Sequence, residues 1–185
     1  MLLEINNTKL PGCYKIIPAI HKDKRGSFIK TFHQGTFIKK RLNVNFSEEY
    51  YTYSKKSVLR GMHFQLPPKD LIKLVYCISG EVMDVVVDLR TGSPTYGKYE
   101  IFYLNSKNAP MVYIPKGLSH GFYVLSNNAI MAYKVSTVYS PKHDSGILWN
   151  SINIPWPNKK PILSQRDKRF MSFKEFNSPF TYEEK

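Results

Sequence analysis

Residues 71–89 read LIKLVYCISGEVMDVVVDL, and their pattern decides the fold. Two apolar runs, 71–78 and 82–89, flank Ser79-Gly80-Glu81. Both are short and rich in β-branched residues, which suits buried strands better than a helix. The glycine between them marks a reversal, so the stretch is expected to form two strands joined by a tight hairpin. Three charges interrupt it. Lys73 shares a face with Val75 and Cys77, while Asp84 and Asp88 share one with Val82 and Val86. A buried charge is costly unless paired. If these groups point inward they mark a polar cavity with room for a ligand. If they point outward they form an ordinary solvated strand face.

The pattern continues outward from this stretch. Residues 49–54 are Tyr-rich and strand-like, and 98–104, 111–114, 121–125 and 129–138 are further strands, with Ser126-Asn127-Asn128 as a turn. Asp23-Lys24-Arg25-Gly26-Ser27 reads as a turn between two strands, and residues 35–42 as the one short, basic helix. The chain after Ser140 is Pro-rich and irregular, with Trp149 and Trp156 as anchors. Many short strands at regular spacing imply an all-β sandwich or barrel. Tyr and Phe, 13 and 11 in number, suit pleated surfaces. At 185 residues a single domain over 1–185 is expected.

Composition excludes some functions and leaves others. No apolar run reaches the roughly 18 residues of a membrane helix, and the first residues, MLLEINNTKLPG, do not form a secretory signal. Two cysteines, Cys13 and Cys77, give neither a disulfide framework nor a zinc site. A cytoplasmic protein without membrane partners is expected. The net charge of +13, from 27 Lys and Arg against 14 Asp and Glu, permits nucleic-acid binding or steering of a small polyanion. The basic residues are scattered and no nucleic-acid module is present, so no nucleic-acid partner is expected.

The candidate chemistry lies in Val58-Leu59-Arg60-Gly61-Met62-His63-Phe64-Gln65 together with Lys73. A His beside two cations can serve a reaction that makes a carbanion next to a carbonyl. Barrels of this kind can hold a metal through His-x-His, but Gln65 stands at the second position, so neither a metal nor another cofactor is expected. A further block, residues 114–122, reads IPKGLSHGF and looks like a bend at a barrel mouth that carries His120. Tyr133, Tyr139 and Asp167 complete the candidates. Each has an ordinary structural reading when taken alone: core histidine, packing aromatic, turn cap.

As an ordered series these blocks are specific. VLRGMHFQ, KLVYCISGEVMDVVVDLRTGSPTYG, YIPKGLSHGF, AYKVSTVYSPKHDSGILWN, IPWP and ILSQRD resemble the dTDP-4-dehydrorhamnose 3,5-epimerase family, from about Leu10 to Arg169. The resemblance implies a cupin-type jelly-roll β-barrel with short peripheral helices, without a metal, working as a homodimer that exchanges strands. It implies epimerisation at C3 and C5 of a nucleotide-diphosphate-linked 4-keto-6-deoxy sugar. Carried over by position, His63 is the base, Asp167 the carboxylate that polarises it, Tyr133 the proton donor and Lys73 the cation near the C4 oxygen. Arg60, His120, Asp144 and Arg166 match substrate contacts, Tyr139 an aromatic against the nucleotide base, and Arg25 a nucleotide contact.

Some positions depart from the family's pattern. Lys30 stands where Arg-Gly-x-Phe-x-Glu would place a Glu, and Glu48 and Tyr50 stand where Gln-x-Asn is usual. All three are expected to read the nucleobase. CDP- or GDP-linked sugars, hexose or heptose, are therefore alternatives to dTDP, as is epimerisation at one centre only. A non-catalytic sugar-binding cupin and a metal-dependent cupin enzyme are the other readings. The first has no use for His63, Asp167 and Tyr133 together, and the second needs more His ligands.

Overall fold

The computed structural model describes residues 3–184. It contains β1 (Leu3–Asn7), β2 (Tyr14–Pro18), β3 (Ile20–Asp23), β4 (Gly26–Ile29), helix α1 (Gln34–Lys39), β5 (Glu48–Lys55), β6 (Leu59–Gln65) and β7 (Lys73–Ser79). There follow β8 (Glu81–Asp88), β9 (Tyr99–Asn105), β10 (Met111–Ile114), β11 (Leu118–Val124), β12 (Asn128–Val135), β13 (Asp144–Gly146) and a 3-10 turn, Asp167–Arg169. One sheet has the order β1-β2-β10-β7-β12-β5, and the other β13-β6-β11-β8-β9. All pairings within them are antiparallel. The fold is an all-β jelly roll of cupin type, as expected.

The hairpin expected at Ser79-Gly80-Glu81 is not one. β7 pairs with β10 and β12, whereas β8 pairs with β9 and β11, so the chain crosses from one sheet to the other at Gly80. A positive φ of 82° permits this corner, and a Cβ at Gly80 would lie 2.1 Å from the Asn128 carbonyl oxygen. The glycine marks the break between the two strands as expected, but the pairing of those strands with each other is not formed. β7 and β8 are apolar on both faces because each sheet is covered on both sides.

Three apolar clusters do the covering. Between the sheets lie Val75, Cys77, Val82, Val86, Phe122 and Tyr133 with their neighbours. Outside the five-stranded sheet, the chain after Ser140 lays Ile147, Trp149, Trp156, Phe176 and Phe180 over Met83, Val85 and Val87. Trp149 and Trp156 anchor it as expected, and the Trp156 Nε1–H donates to the Trp149 carbonyl at 2.9 Å. Outside the six-stranded sheet, Phe37 of α1 packs on Leu74, Met111 and Tyr113. The helix ends earlier than the sequence suggests, because Arg41 adopts φ 56° just beyond the Lys40 cap. β3 and β4 pair only with each other and form a separate hairpin on which Phe28 is 61% exposed.

Candidate active site

The sheets enclose a cavity of about 320 Å³, within the range of small-ligand sites. β6 supplies Arg60 and His63 from one sheet. β5, β7 and β12 supply Tyr50, Lys73 and Tyr133 from the other. Facing sheets thus place the His and the Tyr on opposite walls. At the point where His63 is presented, β6 and β11 approach unusually closely. A Cβ on Gly61 would lie 2.6 Å from the Gly121 Cα, and the pairing slips between His120 and Phe122.

His63 is partly exposed to the cavity, and its Nε2 lies 2.9 Å from Asp167 Oδ1. Asp167 is buried at 2% exposure, and its other oxygen accepts the Gly61 N–H at 3.3 Å. Burial alone would raise this carboxyl, but the hydrogen bond from His63 and further donors hold it at about 2. The buried carboxylate favours the tautomer with N–H toward Asp167 and the lone pair on the other nitrogen, in competition with the Arg166 guanidinium, which donates toward the same Nε2 at 2.9 Å. Burial lowers the His63 pKa and outweighs the opposing pull of Asp167, with the Arg166 and Lys73 charges adding to the lowering. His63 is therefore neutral, as a base must be, at neutral pH.

Lys73 points inward, which resolves the question its sequence left open. It is 8% exposed, and its Nζ donates to the His63 carbonyl at 3.2 Å. Burial brings its pKa down to about 8. Tyr133 is 5% exposed, and burial raises its pKa well above 10, so the phenol keeps its proton. Its ring meets His120 edge-on, with centroids 6.0 Å apart. His120 lies within β11 rather than in a mouth loop, and its Nε2 is 2.7 Å from Asp84 Oδ2. Asp84 is wholly buried behind His120, which decides between the two orientations its strand face allowed. Asp88, on the same face, serves no site: its carboxylate accepts from Arg90, Ser93 and Thr95 and ties down the turn after β8.

The remaining candidates divide. Glu48, Tyr50, Arg60, His120, Tyr139, Asp144 and Arg166 all line the cavity with His63, Lys73 and Tyr133. Arg60 is held by the Ser54 hydroxyl at 2.9 Å. Arg166 pairs with Asp144, and its Nη2 lies 2.9 Å from His63 Nε2, so it lies against the imidazole on its Asp167 side. Arg25 and Lys30 do not line the cavity. They belong to the β3–β4 hairpin segment, where Arg25 pairs with Asp23 at 2.6 Å in solvent. Glu48 accepts the Tyr139 backbone N–H at 2.7 Å. Tyr50 stacks on Tyr133. Both side chains line the cavity as well as making these contacts.

Thr52, Val135 and Thr137 also line the cavity and were missed. Period-two alternation from Tyr50 and from Tyr133 would have found them. Gln65 stands where a metal-binding barrel would carry a second His, and here it has a structural part. Its side chain donates to the Lys69 carbonyl and accepts the Ser140 N–H, both at 2.7 Å, and so fixes the loop that presents Tyr139. Among the described residues no group of three His, Cys, Asp or Glu side chains is placed to share a metal ion.

A jelly roll with a charged cavity and facing His and Tyr side chains belongs to the class of cupin-type carbohydrate epimerases, which are isomerases. The chain belongs to the dTDP-4-dehydrorhamnose 3,5-epimerase family, whose sequence model matches residues 7–175. It is 41% identical over 168 residues to the dTDP-4-dehydrorhamnose 3,5-epimerase of Shigella flexneri, covering 89% of this chain and 93% of that one. A dTDP-6-deoxy-D-glucose-3,5-epimerase from Legionella pneumophila Philadelphia 1, solved in complex with dTDP-4-keto-L-rhamnose, superposes with a TM-score of 0.93 at 34% identity, covering 98% of this chain and all of that one. A 3'-monoepimerase from Streptomyces bikiniensis, solved with dTDP-quinovose, superposes with a TM-score of 0.85 at 30% identity, covering 90% of this chain and 86% of that one.

Proposed function

We propose that the protein epimerises C3 and C5 of dTDP-4-keto-6-deoxyglucose, in the branch of deoxysugar synthesis that leads to rhamnose. The observation that carries the reading is the His63–Asp167 pair on one wall of the cavity with Tyr133 on the other. His63 takes the proton from the carbon next to the C4 ketone, and the C–H electron pair moves into an enolate. Lys73, cationic below about pH 8, offsets charge on the C4 oxygen. Tyr133 gives its hydroxyl proton to the opposite face of that carbon. The enolate collapses to the ketone with inverted configuration, the phenolate regains a proton from solvent, and the His63 imidazolium releases the abstracted proton to solvent. Arg60 suits the diphosphate through its planar fork.

Family membership favours dTDP. Equal concentrations of dTDP-, CDP- and GDP-linked 4-keto-6-deoxyglucose, assayed by NMR of the products, are expected to give the L-sugar at least about tenfold faster from dTDP, a difference of ~1.4 kcal/mol. No epimer from any of the three would refute the activity.

The site also sets a pH profile. Since kcat/KM reports groups of the free enzyme, it is expected to rise as His63 deprotonates, at a pH below its ordinary value of 6.5. It is expected to fall as Lys73 loses its proton near pH 8. An acid limb centred above 6.5 would remove neutral His63 as the base.

The protein acts as a homodimer in this reading. An isolated two-stranded hairpin is marginally stable in water, yet β3–β4 stands alone with Phe28 exposed, and Tyr51 and Tyr53 are 70% and 56% exposed on the outer face of edge strand β5. A second copy covers such surfaces, and it is the route by which Arg25 and Lys30 reach a nucleotide. Light scattering is expected to give twice the 21.5 kDa chain mass, with Phe28→Asp shifting the protein toward monomer. A monomeric parent protein would contradict the arrangement.

A further inference from the structure

Tyr50 has no role in the steps above, yet it makes the closest aromatic contact with the proton donor. It lies in β5 directly across from Tyr133 in β12. Their rings are nearly parallel, at 14°, with centroids 4.8 Å apart. Tyr133 has the His120 ring against it as well, tilted at 69°. The donor is therefore covered on its face by Tyr50 and bounded by His120. Thr52, the next cavity-facing residue of β5, is a polar neighbour of the Tyr133 hydroxyl. The Tyr50 ring is the group of this strand that covers the donor ring itself.

A tyrosine delivers a proton along the direction of its O–H, and that direction follows the two torsions of the side chain. Loss of a stacked neighbour widens the range of both torsions. The base is independent of this stack, since His63 is held from the other sheet by Asp167. A loosened donor therefore affects proton return and leaves proton removal in place. We propose that Tyr50 is a positioning residue: its ring, stacked on Tyr133, holds the phenol at the angle that protonates the enolate on the inverting face. It thereby sets the ratio of inversion to simple exchange. The inference rests on Tyr133 being the proton donor.

Edge-strand position and 41% exposure make substitution at Tyr50 compatible with folding. The test compares Tyr50→Phe and Tyr50→Asn with the unsubstituted enzyme, in deuterium oxide, on dTDP-4-keto-6-deoxyglucose. Two quantities are read by NMR: deuterium incorporated at C3 and C5, and epimer formed. Calorimetric binding of dTDP checks that each variant retains the site. Misplacing a reacting group by about 1 Å can cost about 10²-fold. Tyr50→Asn is expected to lower the ratio of epimer to exchanged deuterium by about ten- to a hundredfold. Tyr50→Phe keeps the ring and is expected to restore the ratio. An unaltered ratio in Tyr50→Asn overturns the proposal. So does loss of inversion in Tyr50→Phe, which would make the Tyr50 hydroxyl itself a donor. Absence of exchange in the unsubstituted enzyme would instead strike at the activity proposed above, so the two failures are distinguishable.

Discussion

His63→Asn is expected to abolish the exchange of substrate carbon-bound hydrogen with solvent while the fold survives. A general base contributes about 10²- to 10⁴-fold, and His63 is the group held by a buried carboxylate on this wall of the cavity. Asn keeps a donor for Asp167, whose buried carboxylate would otherwise lose its imidazole partner at 2.9 Å. Stability should therefore change little. For a chain of this size each kcal/mol lost moves Tm by about 2–4 °C, so a small Tm shift with lost exchange separates chemistry from folding. Exchange at the parental rate in the variant would take His63 out of this role. Asp167→Asn is the milder partner change. It leaves His63 in place and removes the charge that favours its N–H toward Asp167, so exchange should slow without vanishing.

Tyr133→Phe is expected to separate exchange from inversion. The ring stays, so the stack with Tyr50 and the contact with His120 persist. His63 still removes the proton, and deuterium enters C3 or C5 with retained configuration because return occurs on the face of removal. Epimer accumulates slowly, by the 10²- to 10⁴-fold that a positioned acid typically supplies. Parental rates of epimer formation would transfer the donor's role to water or to Tyr139, which is 56% exposed at the cavity's edge.

Much of the fold was legible because the strands are short, apolar and punctuated. Residues 111–114 were located to the residue, and β5, β7, β8 and β12 to within a few. Partnership was not legible at Gly80, because a reversal within a hairpin and a corner between two sheets use the same glycine signal. β11 begins before His120 because Leu118 and Ser119 continue its buried ladder, whereas the nearby Pro115 and Gly117 suggested a loop. Alternation put Lys73 on the Val75–Cys77 face and Asp84 on the Val82–Val86 face but left open whether those faces point inward; both side chains are buried. The grouping of His63 with Asp167, 104 positions apart, could not follow from any local pattern and came only with the family resemblance. Arg25 and Lys30 show the converse: resemblance placed them at a nucleotide, and a single chain's geometry does not bring them to its own cavity.

The central claim is that one cavity removes a proton with His63 on one face of the sugar and returns it with Tyr133 on the other. Turnover of dTDP-4-keto-6-deoxyglucose by the unsubstituted enzyme in deuterium oxide, followed by NMR and mass, tests it most directly. The expected result is one deuterium at C3 and one at C5, each at an inverted centre of the product. Inversion without deuterium at either carbon would contradict the account, because it would require a route that never passes through an enolate open to exchange with solvent.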